Sequence, residues 1–186
     1  RLADSVCVGL PMHGHPSPAL LATSPRKRGE GLLLTGTPIR EALWETLDVG
    51  GARLALGLER EKPTVLVFGG SQSASRLNAA APAALAEASE AVGGLQALHL
   101  SGAKDQASVE RAYKENDLPA VVLPYLERME LAFGAADLVV SRSGASTLAE
   151  LIAQRKPAIL VPYPHATGGH QTSNARRFEE AGTASV

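Results

Sequence analysis

Ser141-Arg142-Ser143-Gly144-Ala145-Ser146-Thr147, with Glu150 three residues further on, is the stretch of this chain whose residue types could do chemistry. An apolar run, Leu138 to Val140, precedes it and reads as a buried parallel strand. Thr147 to Gln154 follows as a helix with Leu148, Leu151 and Ile152 on one side, and Ala158 to Val161 makes the next strand after Pro157. A helix that opens after a small-residue turn at a strand's carboxyl end offers free N–H groups and a positive dipole end to an anion. Gly144 lets a ligand approach the backbone closely. Glu150, about one turn into the helix, could reach past a phosphate to the hydroxyls of a ribose. A nucleoside diphosphate satisfies all three features. The same pattern also suits an ordinary strand–helix–strand unit whose Ser and Thr cap a helix.

A second turn of this kind follows the apolar strand Thr64 to Phe68. Gly69-Gly70-Ser71-Gln72-Ser73-Ala74-Ser75 leads into an alanine-rich helix from Arg76 to about Val92, with Asn78 near its start. It lacks the Gly-Lys-Ser/Thr of a Walker loop and the third glycine of the dinucleotide fingerprint. Paired glycines and hydroxyls remain a candidate phosphate cradle. Thr37-Pro38 reads as a helix start, with helix to about Gly57 interrupted at Gly50-Gly51. Arg40 would then stand in a first turn, where a cation opposes the helix dipole unless an anion pairs with it.

The elements that must carry these turns alternate. Strands are expected at Val6 to Val8, Leu32 to Leu34, Leu95 to Leu100 and Ala120 to Leu123, and helices at Ala103 to Asn116, Glu127 to Phe133 and Thr172 to Ala181. Five strand–helix alternations from Thr64 onward predict an α/β fold, a parallel sheet with helices on both faces. Ligands of such sheets bind beyond the carboxyl ends of the strands, where the polar turns gather.

Bulk properties narrow the function. A net charge of −1 over 186 residues gives no footprint for nucleic acid. The basic cluster Arg26-Lys27-Arg28 is too small to hold a membrane surface alone, and His13 and His15 have no Cys, Asp or Glu nearby to complete a metal site. Cys7 is the one cysteine, so no internal disulfide forms. No run reaches the ~18 apolar residues of a membrane helix. The chain starts on Arg1 and stops at Val186 in the beginning of a strand, and a fragment is expected.

Four pieces together resemble the MurG family of bacterial glycosyltransferases, in order and over nearly the whole chain: Thr35-Gly36-Thr37-Pro38-Ile39-Arg40, Phe68-Gly69-Gly70-Ser71-Gln72, Ser141 to Thr147, and Val161-Pro162-Tyr163-Pro164-His165 with His170-Gln171 and Asn174-Ala175. That family transfers N-acetylglucosamine from UDP-N-acetylglucosamine to lipid I, making lipid II for peptidoglycan. The resemblance implies one half of a two-domain GT-B fold, a Rossmann-like sheet. Residues 1–36 would be the end of the N-terminal domain and the linker, and 37–186 the UDP-sugar domain, truncated at its end. It implies that Tyr125 and Leu126 hold uracil beside Met129, and that Glu150 takes the ribose. Ser143, Gly144, Ala145, Ser146 and Thr147 would bind the diphosphate, helped by Arg40, Ser71 and Gln72. His170 and Gln171 would contact the sugar, and Gly69, Gly70, Asn78 and Asn174 would support the site.

The implied reaction is inverting displacement of UDP by an acceptor hydroxyl, needing neither metal nor cofactor. No catalytic residue is expected in this chain, since the base belongs to the absent N-terminal domain. That domain would also meet lipid I and the cytoplasmic face of the membrane. Two departures from the family pattern stand out: Ser73-Ala74-Ser75 where Gly-Ala-Arg is usual, and Gly168-Gly169 where acidic residues are common. If Ser73 has to adopt a glycine conformation, strain of roughly 1–3 kcal/mol follows. Other readings are a GT-B enzyme with another acceptor, such as diacylglycerol, or a nucleotide-binding module without catalysis. A dehydrogenase domain fits poorly without the dinucleotide fingerprint.

Overall fold

The computed structural model describes residues 5–8, 31–34, 37–69, 74–163, 170–182 and 184–186. Gly70, Ser71, Gln72 and Ser73, the histidine and basic segments near the amino end, and Gly168-Gly169 lie outside the described residues. Strands β1 (Ser5–Val8) and β2 (Gly31–Leu34) pair in parallel as a small sheet of their own. The remaining strands form the six-stranded main sheet: β3 (Thr64–Phe68), β4 (Gln96–Leu100), β5 (Ala120–Leu123), β6 (Leu138–Ser141), β7 (Ala158–Leu160) and β8 (Ala184–Ser185). Its order is β5-β4-β3-β6-β7-β8, every pairing parallel. Counted from β3 this is the 3-2-1-4-5-6 order of a dinucleotide-type sheet, in which the strand order reverses between β3 and β6. The reversal opens a crevice at the carboxyl ends of those two strands, and the glycine turns of the sequence are the segments that leave them.

Helices α2 (Ser75–Val92) and α3 (Gln106–Glu115) cover one face, against Val65, Val67, Ala97, Val122 and Val140. Helices α1 (Val49–Ala55), α4 (Met129–Ala135), α5 (Ala145–Gln154) and α6 (His170–Glu180) contribute to the core on the other, against Leu66, Phe68, Leu98, Val139 and Leu160. All five β3 residues are buried, as a central parallel strand requires. Phe68 meets Phe133 of α4 edge-on, with ring centroids 5.9 Å apart. On the α2 side, Leu138, Val140 and Ile159 face Ala80, Ala84 and Ala88 across an apolar groove of about 610 Å³.

The segment after Thr37 differs from expectation. No helix starts at Thr37-Pro38; a 3₁₀ turn occupies Glu41–Trp44, and Arg40 before it is extended at φ −66° and ψ 143°. The break falls at 45–48, while Gly50-Gly51 lie inside α1. The cause is Asp48, whose carboxylate accepts the Gly51 N–H at 2.6 Å and starts a new helix there. A Cβ on Gly51 would stand 2.8 Å from that carboxylate oxygen, so the glycine makes room for the cap. Ile152 also departs from its expected place: Leu148 and Leu151 are buried, but Ile152 is 60% exposed. None of the described helices is long and apolar enough to cross a membrane.

Candidate functional site

The register of β3 with β6 pairs Phe68 with Ser141, so the turns leaving the two strands start side by side. Gly69 is required at the first for a steric reason: a Cβ there would lie 2.0 Å from the Cβ of Ala74 at the head of α2. Helix α2 then begins from Ala74 without a side-chain cap. The second turn does the same. Helix α5 starts two residues earlier than its apolar periodicity suggests, with Gly144 as its uncapped N-cap residue. Gly144 has an ordinary φ of −68°, and an added Cβ would meet only Thr147 Oγ1 at 3.9 Å. No described residue demands glycine there, which points to close approach by a ligand. Ala145, Ser146 and Thr147 form the first turn, and their N–H groups have no partner inside the helix. At the end of β6 the Ser141 hydroxyl is buried without a partner among the described residues.

Ser143 is fully buried, and its hydroxyl donates to the Gln171 carbonyl at 2.7 Å. Asn174 Nδ2 donates back to the Ser143 carbonyl at 3.0 Å. The two bonds hold the start of α6 against the start of α5, so any contact of Ser143 with a ligand falls to its backbone. Gln171 Oε1 accepts the Tyr163 N–H at 2.9 Å, and no described residue accepts its amide hydrogens. His170 opens α6 and is exposed. Arg142, which no expectation singled out, braces the same region. Its guanidinium is 8% exposed, donates to the carbonyls of Val161 and Pro162 at 3.0 and 3.1 Å, and stands over the Tyr163 ring. Burial draws its pKa down, and no described carboxylate pairs with it. An arginine among small turn residues was the available signal.

Arg40 reaches across the fold to donate to the Glu127 carbonyl at 2.7 Å, just before α4. It is therefore not a first-turn cation opposing a dipole, and its field acts on protein carboxylates. Glu150 is one of them: half-buried, with its pKa raised by burial and partly drawn back by Arg40. No described residue hydrogen-bonds the Glu150 carboxylate. Tyr125 is 74% exposed at the carboxyl end of β5, while Leu126 and Met129 pack partly against the core. The backbone of Leu126 makes no hydrogen bond to a described residue. Asn78 is buried and bonds to the Ser101 carbonyl, Asp105 and His99. Those ties run toward β4 and α3; its relation to the glycine turn lies outside the described residues.

Residues 64–186 match the sequence model described as "Glycosyltransferase family 28 C-terminal domain". The chain is 43% identical over 166 residues to a Halothermothrix orenii protein named UDP-N-acetylglucosamine--N-acetylmuramyl-(pentapeptide) pyrophosphoryl-undecaprenol N-acetylglucosamine transferase, covering 86% of this chain and 44% of that one. It is 38% identical over 185 residues to the protein of the same name from Desulfotalea psychrophila, covering 99% and 46% respectively. The crystal structure of Acinetobacter baumannii MurG superposes with a TM-score of 0.69 at 26% identity, over 99% of this chain and 46% of its own. The chain thus spans under half the length of the curated relatives it matches. On the match of 64–186 it belongs to glycosyltransferase family 28, of whose C-terminal domain those residues are a copy.

Proposed function

We propose that this chain is the donor-binding part of an enzyme that transfers N-acetylglucosamine from UDP-N-acetylglucosamine to lipid I, forming lipid II. The observation that carries this reading is the uncapped start of α5 at the switch point, with the Glu150 carboxylate, to which no described residue donates a hydrogen bond, about one and a half turns further on. In this reading the N–H groups of Ala145 to Thr147 and the helix dipole hold the diphosphate. Glu150 accepts the ribose hydroxyls, and the open Leu126 backbone receives uracil beside Met129. Tyr125, Arg40, Ser71 and Gln72 complete the nucleotide contacts. His170 and the amide of Gln171 select the sugar, and Gly69, Gly70, Asn78 and Asn174 support the turns.

Displacement by an acceptor hydroxyl builds negative charge on the departing diphosphate, and oriented N–H groups stabilise that charge without reorganising. The proton of the attacking hydroxyl goes to a base outside this chain. Residues 1–36 are proposed to close a preceding domain and lead into this one at 37–186. The preceding domain would bring lipid I and the cytoplasmic membrane face to the donor. The relatives' names support this choice of donor and acceptor.

Calorimetric titration with UDP-N-acetylglucosamine, UDP, UDP-glucose and NAD tests the reading. The uridine ligands should bind, the N-acetylglucosamine donor most tightly, and NAD should not. Glu150→Ala should weaken UDP by about 1.5–3 kcal/mol, the value of a hydrogen bond to a charged group. Unchanged affinity would remove Glu150 from the ribose. Gln171→Ala should weaken UDP-N-acetylglucosamine more than UDP; equal losses would show that Gln171 only holds Tyr163.

A further inference from the structure

The carboxyl end of β4 carries a polar chain that the donor contacts do not use. Ser75 and Asn78, three residues apart on one side of the first turn of α2, both donate to the same oxygen of Asp105, at 2.8 and 2.9 Å. Asp105 is the N-cap residue of α3 and lies 30 and 27 positions away from them in sequence. Asn78 Nδ2 donates its second hydrogen to the Ser101 carbonyl at 2.8 Å. With both amide hydrogens used, Asn78 Oδ1 can only accept. It therefore accepts a hydrogen bond from His99 Nε2–H at 3.1 Å, and His99 Nδ1 is left to accept one from the Tyr113 hydroxyl at 3.0 Å. The donors run in one direction, from α3 through β4 and α2 back to the head of α3. Asn78, His99 and Tyr113 are each no more than 2% exposed. A satisfied buried network of this kind selects one arrangement of the elements it joins.

Helix α2 has no side-chain cap of its own, since Ala74 offers no acceptor. Its first turn is nonetheless at the crevice between β3 and β6. We propose that Asp105 is a positioning residue for the diphosphate side of the donor site, acting through Ser75 and Asn78 to hold the first turn of α2 at the end of β3. This inference rests on the donor-site reading above. It separates two halves of the site: α2 serves the diphosphate together with the start of α5, while Glu150 and the Leu126 backbone serve the nucleoside.

The test compares UDP with uridine as ligands for the wild type, Asp105→Ala and Asp105→Asn. Asp105→Ala should weaken UDP about tenfold and leave uridine within about twofold. Asp105→Asn keeps an acceptor oxygen for Ser75 and Asn78, and should restore UDP affinity to within about threefold of wild type. Hydrogen exchange should show faster exchange of the Asn78 amide in Asp105→Ala only. With a wild type that binds UDP, equal weakening of UDP and uridine by Asp105→Ala, or UDP affinity unchanged in that variant, would overturn the inference alone. A wild type that ignores UDP would overturn the donor-site reading and this inference with it.

Discussion

Arg53→Met should lower stability by about 3 kcal/mol in urea unfolding followed by far-UV circular dichroism. Arg53 is 6% exposed on α1 and ties it to Arg60, 7 residues on, and to Ala135 and Asp137, 82 and 84 residues on. Its Nε donates to the Ala135 carbonyl and Nη1 to the Arg60 carbonyl, each at 3.0 Å, while Nη2 pairs with Asp137 at 2.6 Å. Methionine keeps the apolar stem and removes every donor. Asp137 is half exposed and still accepts the Thr64 N–H at 2.7 Å, so its carboxylate rehydrates at modest cost. The penalty comes mainly from the two carbonyls left without a partner, at about 1–3 kcal/mol each. That total is a large share of the 5–15 kcal/mol typical of a domain. Arg53→Lys should recover less than half, because one ammonium cannot reach three acceptors set for a fork. A loss under about 1 kcal/mol for Arg53→Met would mean that these carbonyls find other donors.

Acidification should weaken the fold through His99. Burial lowers its pKa from 6.5 to about 4, and in the Nε2–H tautomer set by Asn78 the Nδ1 atom accepts from the Tyr113 hydroxyl, a hydrogen bond that protonation would have to reverse. Between these two pKa values the unfolded chain binds a proton that the folded chain refuses. Stability therefore rises with pH inside that window and falls on acidification. The slope approaches about 1.4 kcal/mol per pH unit, for a total near 3 kcal/mol by pH 4. Above pH 6.5 the group contributes no pH dependence. Carboxylates titrate in the same range, so the measurement is a difference: urea unfolding of wild type and His99→Gln at pH 7 and 4.5. The variant should lose stability at pH 7 but show a shallower decline, and parallel declines would sink the assignment.

Much of the site was legible because its signals are local. Small residues between an apolar run and an amphipathic stretch mark a strand-to-helix turn wherever they occur, and the spacing from Gly144 to Glu150 places a carboxylate about one and a half turns along. The alternation from Thr64 onward likewise implies a parallel sheet, since each helix must return the chain to the same edge. The break before α1 was misplaced because glycines usually interrupt helices, whereas here Gly51 is demanded by the Asp48 cap and belongs to the helix. Ile152 was misplaced because a 3.6-residue period marks a broad stripe and says nothing about where the neighbouring element ends.

Other features depend on pairings across the sheet that no local pattern contains. Arg40 reads as a first-turn cation in sequence, but in space it joins Glu127, 87 residues on, and acts on Glu150. Ser143 reads as a phosphate contact, but its hydroxyl is committed to α6. His99 and Gln96 lie inside the strand expected at Leu95 to Leu100, and only the folded chain gives each its partners, Asn78 and Tyr113 for one and Glu59 and Thr64 for the other. Sequence alone placed the openings of α2 to α6 within a few positions, because chain direction and residue size decide that locally, but it did not place the first helix, which Asp48 and not Thr37 caps. The strand order 3-2-1-4-5-6, the meeting of the β3 and β6 turns, and the partners of Arg40, Arg53, Asp105 and His99 were decided by tertiary structure, because buried polar groups must be satisfied wherever folding brings a donor to an acceptor.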